Sequence, residues 1–164
     1  MISKKELLSA NVHGKPTIRP PYASKESHFD ELCESCGDCL LACPEKILIY
    51  ARGKLPKIDF SIGECTLCFK CVDACKYQAL SRENKPAQYV ALIIQEKCLS
   101  FNKVICDVCF DSCQYEAIDR KIMPAGIKHI MINHSKCLSC GACFHDCPNN
   151  AVAMIFNKNV ATCL

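Results

Sequence analysis

The sequence predicts an α+β chain built as two tandem units of short strands and short helices. Three observations predict it. Seventeen of the 164 residues are cysteine, about 10%, a density found only in special classes of chain. Sixteen of them fall into four groups of four that recur along the chain. Brief runs rich in Ile, Val and Tyr flank the groups and read as strands of a few residues each.

Taken in order, segment 1–29 reads as an extended N-terminal arm. It holds Pro16, Pro20 and Pro21 and no cysteine. Lys4, Lys5, Lys15, Arg19 and Lys25 against Glu6 and Glu26 give it a charge of +3, equal to the formal net charge of the whole chain. Residues before proline avoid the helical region and paired prolines favour an extended conformation, so 18–22 should be extended. Such a strip suits either a docking segment for a partner or a solvated tail folded back over the first cysteine group. On the docking reading, removing 1–27 should leave the cysteine groups intact.

The first unit is expected over 30–84. It opens with Cys33-x2-Cys36-x2-Cys39-x3-Cys43-Pro44. Runs at 47–50 and 57–60 follow as strands, joined by a turn around Gly53. Then comes Cys65-x2-Cys68-x2-Cys71-x3-Cys75. The polar stretch 81–88 links to a second unit, expected over 86–157. Its strand at 89–94 leads into Cys98-x7-Cys106-x2-Cys109-x3-Cys113. Runs at 117–118 and 127–132 surround a turn at 123–126. The last group is Cys137-x2-Cys140-x2-Cys143-x3-Cys147-Pro148, followed by a strand at 152–156 and a tail, 158–164, that carries Cys163. The first cysteines of the groups recur after 32, 33 and 39 residues, an internal repeat.

The spacing carries the chemistry. A C-x2-C-x2-C loop converges three sulfurs on one small object. The x3 step sets the fourth sulfur about one helical turn further on, aimed elsewhere. In bacterial two-cluster ferredoxins that fourth thiolate ligates the other cluster. Two repeats then hold two [4Fe–4S] clusters by exchanging their last cysteines, and the fold is expected to be tandem bacterial ferredoxin-like units. Zinc requires only two C-x2-C pairs, and disulfide frameworks require no such register. The expected iron ligands are the sixteen grouped cysteines, holding four clusters. The register leaves two pairings open: first group with second and third with fourth, or a nested arrangement. The third group has a widened first gap, filled by LSFNKVI, and is read either as a fourth cluster site or as a degenerate, labile one. The plant-type C-x4-C spacing shows that this gap can vary.

Composition excludes other classes. Residues 1–20 contain no apolar core of a secretory signal, and the longest clean apolar run, 89–94, is too short to span a bilayer. The expectation is a cytoplasmic chain without a membrane span. A net charge of +3 is too weak to imply nucleic acid. Oxidised clusters carry roughly −2 each with their thiolates, so the loaded protein is expected near −5. No nucleophile–base pair, phosphate loop or HExxH motif is present, so no enzyme activity is expected. His13, His28, His129, His134 and His145 read as surface or hydrogen-bonding groups. His145 and Asp146 sit within the last x3 step and could tune a cluster. Tyr50, Tyr77 and Tyr115 could pack over clusters or simply in the core. Cys163 reads as a free thiol.

The four groups, the widened third gap, and Ile18-Arg19-Pro20-Pro21-Tyr22 followed by Glu26-Ser27-His28-Phe29 resemble the NapF family. The resemblance covers 18–156. It implies a cytoplasmic ferredoxin-type accessory protein that contacts the catalytic molybdenum subunit of periplasmic nitrate reductase before export. It implies help in maturing or reducing that subunit's own cluster, with cluster ligands at the sixteen cysteines named above. Members can carry an arginine-rich N-terminus, whereas this chain has no arginine before Arg19. A general electron-transfer ferredoxin and an electron-transfer subunit of a redox complex, with redox donors as partners, remain the alternatives.

Overall fold

The computed structural model describes residues 17–84, 89–123 and 128–156. They fall into two units. The first comprises residues up to 62 together with 66–86, and the second comprises 63–65 together with 87 onward. The linker residues 85–88, most of the turn at 123–126, the tail 158–164 and His13 lie outside the described residues.

The first unit starts earlier than the sequence suggests. Residues 17–25 are part of it, and α1 (Glu26–Leu32) follows them directly. The loop of the first cysteine group then leads into α2 (Asp38–Ala42). Strand β1 (Leu48–Tyr50) turns through a 3-10 segment, Arg52–Lys54, into β2 (Pro56–Ile58). The turn needs Gly53, whose φ is 79°. The strands pair antiparallel with Leu48 opposite Ile58 and Tyr50 opposite Pro56. Helix α3 (Lys70–Asp73) carries the end of the second cysteine group. The remaining ladder is a single antiparallel bridge, Ala23 to Leu80, extended by Ser24 N–H to Ala79 O at 3.1 Å and Ser81 N–H to Tyr22 O at 3.0 Å.

The described part of the expected arm, 17–29, therefore packs into the unit, and 1–16 lie outside the described residues. Ile58 N–H donates to Ile18 O at 2.7 Å, which lays 18–20 along β2. Pro20 and Phe29 are among the most completely buried side chains, and Tyr22 and Ala23 are buried too. The Tyr22 ring stacks on Phe69 at 4.5 Å. The extended, proline-rich character read from the sequence describes the backbone, but solvation does not follow from it. A prolyl ring adds apolar area, and a strand edge accepts it where no N–H is needed. Deleting 1–27 should accordingly cost the first unit about 3 kcal/mol or more, lowering its melting point by about 10 °C or more and releasing iron. Thermal unfolding and iron analysis of the truncated chain check this. Unchanged melting and iron content would restore the docking-segment reading.

The second unit has longer ladders. Strand β3 (Tyr89–Ile93) pairs antiparallel with β6 (Val152–Phe156), Tyr89 opposite Phe156 and Ile93 opposite Val152. Strand β4 (Ile118–Ile122) pairs with β5 (Lys128–Ile132), Ile118 opposite Ile132. β4 outruns the expected 117–118 because four of its five residues face solvent. Its Asp119-Arg120-Lys121 stretch shows no apolar alternation. Helices α4 (Val108–Asp111) and α5 (Ala142–His145) follow the two cysteine loops. Val90, Ala91, Ile118, Ile130 and Val152 form the core. The widened loop of the third group is an ordered knuckle. The Asn102 amide donates to the carbonyls of Gln95, Glu96 and Cys98 at 3.3, 3.1 and 2.9 Å, and Phe101 stacks on His129 at 4.2 Å.

Candidate iron–sulfur cluster sites

In each unit the cysteines converge by exchange between neighbouring groups. Cys33, Cys36 and Cys39 share one cavity with Cys75, which comes from the second group. The cavity encloses about 370 Å³, part of it open to solvent. In the second unit Cys98, Cys106 and Cys109 share a cavity of about 340 Å³ with Cys147 of the fourth group. Cys143 is buried within reach of the charges of Cys140, Cys137, Cys109 and Cys113. That brings the fourth group's first three sulfurs together with the third group's last. These arrangements follow the adjacent pairing and not the nested one. Cys43, Cys68 and Cys71 belong to the first unit, whereas Cys65 groups with the second, where its N–H donates to Cys140 O at 2.7 Å. These four do not all belong to either unit.

Burial and mutual repulsion act together on the thiols. Burial pushes Cys39 up to about 12, and the sulfurs of Cys33, Cys36 and Cys75 add to it, while its own backbone N–H opposes. Cys109 is pushed to about 12 by burial first and then by Cys98, Cys106 and Cys147. Cys143 is raised chiefly by burial and further by its neighbouring cysteines. Sulfurs that raise one another in this way occupy one small space. They can ionise together only against a compensating positive core, and metal coordination supplies one.

The donor set fits a cluster. All sixteen described cysteines are free, which removes a disulfide framework among them. Among the described residues no three His, Cys, Asp or Glu side chains converge closely enough to grip a single ion. The sulfurs surround a volume instead of a point, as a cube of iron and sulfide requires.

The loops are also shaped for an anion. Ser35 and Gly37, Leu67 and Phe69, and Ser139 and Gly141 adopt positive φ at equivalent places, two after the first cysteine and one after the second. Alternating left-handed residues turn successive N–H groups inward and form an anion-binding concavity. Gly37 sits at φ 84°, and a Cβ there would meet the Tyr50 hydroxyl, the outer end of an exposed side chain that would have to swing aside. Left-handed Leu67 and Phe69 are costly for side-chain-bearing residues, which marks a functional constraint. The third loop lacks this pattern. Asp107, in the position of Gly37 and Gly141, has φ of −118°, and its carboxylate pairs with Arg120 at 3.1 Å. The glycines after Cys36 and Cys140 were the available sequence signal for this backbone device.

Further hydrogen bonds address the exchanged cysteines. The N–H groups of Ala117 and Ala151 donate to the Sγ atoms of Cys113 and Cys147 at 3.3 and 3.2 Å. Lys76, where the first and fourth groups have proline, pairs with Asp38 at 3.1 Å. Both ends of that pair are exposed enough for it to add little, yet it ties the second group's end to the first group's helix. Of the tyrosines, Tyr77 lines the first cavity and Tyr50 abuts Gly37. The Tyr115 hydroxyl is raised by burial, then by Cys140, Cys65, Glu64 and Cys113. His134 Nε2 lies 3.2 Å from Ala91 O, while His28 is exposed beside Glu31. No described helix is long and apolar enough to cross a membrane.

Comparison with known proteins agrees with this geometry. Residues 26–76 and 104–151 each match a family described as a 4Fe-4S dicluster domain. The first match contains the first two cysteine groups. The second contains the fourth group and all of the third except Cys98. The ferredoxin-type protein NapF of Escherichia coli K12 is 36% identical over 135 residues, covering 82% of this chain and 82% of that one. The ferredoxin-type protein NapF of Haemophilus influenzae is 37% identical over 137 residues, covering 84% and 78%. The methylamine utilization ferredoxin-type protein MauM of Methylophilus methylotrophus is 32% identical over 165 residues, covering 90% and 73%. With two dicluster segments of α+β architecture and this extent of shared sequence, the chain belongs to the NapF family of ferredoxin-type iron–sulfur proteins.

Proposed function

We propose that the sixteen grouped cysteines hold four [4Fe–4S] clusters, and that the chain is a cytoplasmic accessory factor for the catalytic molybdenum subunit of periplasmic nitrate reductase. It contacts that subunit before export and delivers electrons or cluster components to it. The observation that carries the reading is the likeness to NapF over 82% of both chains. Bound clusters supply one-electron transfer. The chain's residues do the rest: cysteines grip, left-handed loop residues turn N–H groups inward, and tyrosines and aliphatic side chains shield the cavities from water.

Anaerobic iron and sulfide analysis tests the cofactor claim, with roughly sixteen irons per chain expected. About twelve would leave one group empty. Colourless, compact protein without iron would overturn the reading. Co-purification tests the partner claim. The chain should be retained by the reductase precursor and released by the exported enzyme. One feature favours a second reading, a permanent electron-transfer subunit. Val104 and Ile105 are exposed beside Cys106, Ile105 at 93%, an apolar edge next to a candidate cluster. Stoichiometric retention by a mature redox complex would select that reading.

A further inference from the structure

Arg19 is a charged side chain in an unexpected place. Only 5% of it is exposed, and its Nη2 donates to Asp30 Oδ1 at 2.9 Å. Its guanidinium carbon lies 5.3 Å from the centre of the Phe29 ring, and Nη1 approaches Pro56 O at 3.5 Å. Phe29 and Pro56 both line the cavity of Cys33, Cys36, Cys39 and Cys75. Phe29 O also accepts the Cys33 N–H at 2.9 Å. Arg19 therefore stands directly behind two walls of the first site and braces the residue that leads into its first ligand. Its counter-ion is differently placed, with 31% of the Asp30 side chain exposed. Water screens that carboxylate more than the arginine, so the field reaching the cavity from this pair is positive.

We propose that Arg19 is the fixed cation of the first site, a positioning residue that raises the reduction potential of the cluster held by Cys33, Cys36, Cys39 and Cys75, with Asp30 as its partial offset. This rests on the ligand assignment proposed above. On reduction, one electron from an external donor takes the assembly of cube and four thiolates from about −2 to about −3. A buried cation favours the more negative state. The segment read as either a docking strip or a tail folded back over the first cysteine group thus becomes part of the redox site.

The test is an anaerobic titration of the loaded full chain with dithionite, followed by EPR, beside iron counts. Arg19→Gln should lower the midpoint of one cluster by about 59 mV, a tenfold change in its oxidised-to-reduced ratio. The other midpoints should stay in place. Asp30→Asn should raise the midpoint of that same cluster. Opposite signs from the two members of one ion pair are the signature of charge, since a purely structural loss would move both variants the same way. Should Arg19→Gln fail to load, Arg19→Lys and Asp30→Asn decide, the first near the parent value and the second above it. Shifts of one sign, or no shift in fully loaded variants, overturn the proposal. A parent chain that binds iron but leaves Cys33, Cys36, Cys39 and Cys75 empty overturns the ligand assignment, and the role of Arg19 with it.

Discussion

Cys39→Ser should strip about four irons from the chain and destabilise the first unit without unfolding it. A serine oxygen is a harder and more basic donor than a thiolate, and suits iron–sulfur coordination poorly. Cys39 is also the most strongly raised thiol in its quartet for which a value is resolved, at about 12, because it is the buried one. The loss therefore falls at the site's innermost contact. With cluster binding supplying folding free energy, the first unit's melting point should drop by about 10 °C or more. The sharper expectation concerns pairs. Cys75 lies beyond the second group's loop in sequence but lines the same cavity as Cys39. Cys75→Ser should remove the same four irons, and the double variant should remove no more than either single one. Residues acting as one unit are strongly non-additive. Cys109→Ser and Cys147→Ser should behave likewise in the second unit, where they share a cavity. Iron counts and EPR of the reduced variants measure this directly. Eight irons lost from Cys39→Ser combined with Cys75→Ser would mean separate clusters and would refute ligand exchange between adjacent groups.

The cysteine register was legible because cluster ligation is a local code. Ligand type and spacing are written within eleven to sixteen residues, and the short strands after Cys43, Cys113 and Cys147 follow from the same repeat. The hairpin of β1 and β2 was legible for a related reason, since Gly53 and the following strand-forming residues sit side by side in the chain. What escaped was non-local. The register leaves adjacent and nested exchange nearly equivalent, and only the pairing of β3 with β6 across some sixty residues settles which loops face each other. Helix α1 escaped because it has no side-chain cap at Lys25. Phe29 and Leu32 offer a single apolar step, too little to signal a helix. The burial of Arg19 escaped for a simple reason. A basic residue among prolines is ordinarily solvated, and its burial depends on Asp30, Phe29 and Pro56, which the chain brings up later. The backbone device in the cysteine loops was half visible, in Gly37 and Gly141. In the second group Leu67 and Phe69 adopt the same conformation without glycine, so composition alone conceals it.

Removing the iron should dissolve the fold, and unevenly. The first unit has three-residue strands and one isolated bridge. The second has two five-residue antiparallel ladders. Two-stranded pairs of this length are marginal in water by themselves, and the fully buried large side chains among the described residues are few: Phe29, Ile47, Val90 and Pro20. With so little apolar area, conformational entropy exceeds what packing returns. Cross-linking by metal closes the difference. By the ligand exchange proposed above, each cluster would join a loop to a cysteine of the neighbouring group, about twenty to fifty residues away, so the holo fold would be held by closures that vanish with the metal. Anaerobic chelation should therefore abolish protection from hydrogen exchange at β1 and β2 at once. Amides of β3 and β6 around the fully buried Val90, in a five-residue ladder, should exchange last. Sedimentation should report an expanded chain. If the iron-free protein kept native protection in β1 and β2 and stayed compact, the strands and core would suffice alone, and the cysteine groups would be passengers on a self-standing fold.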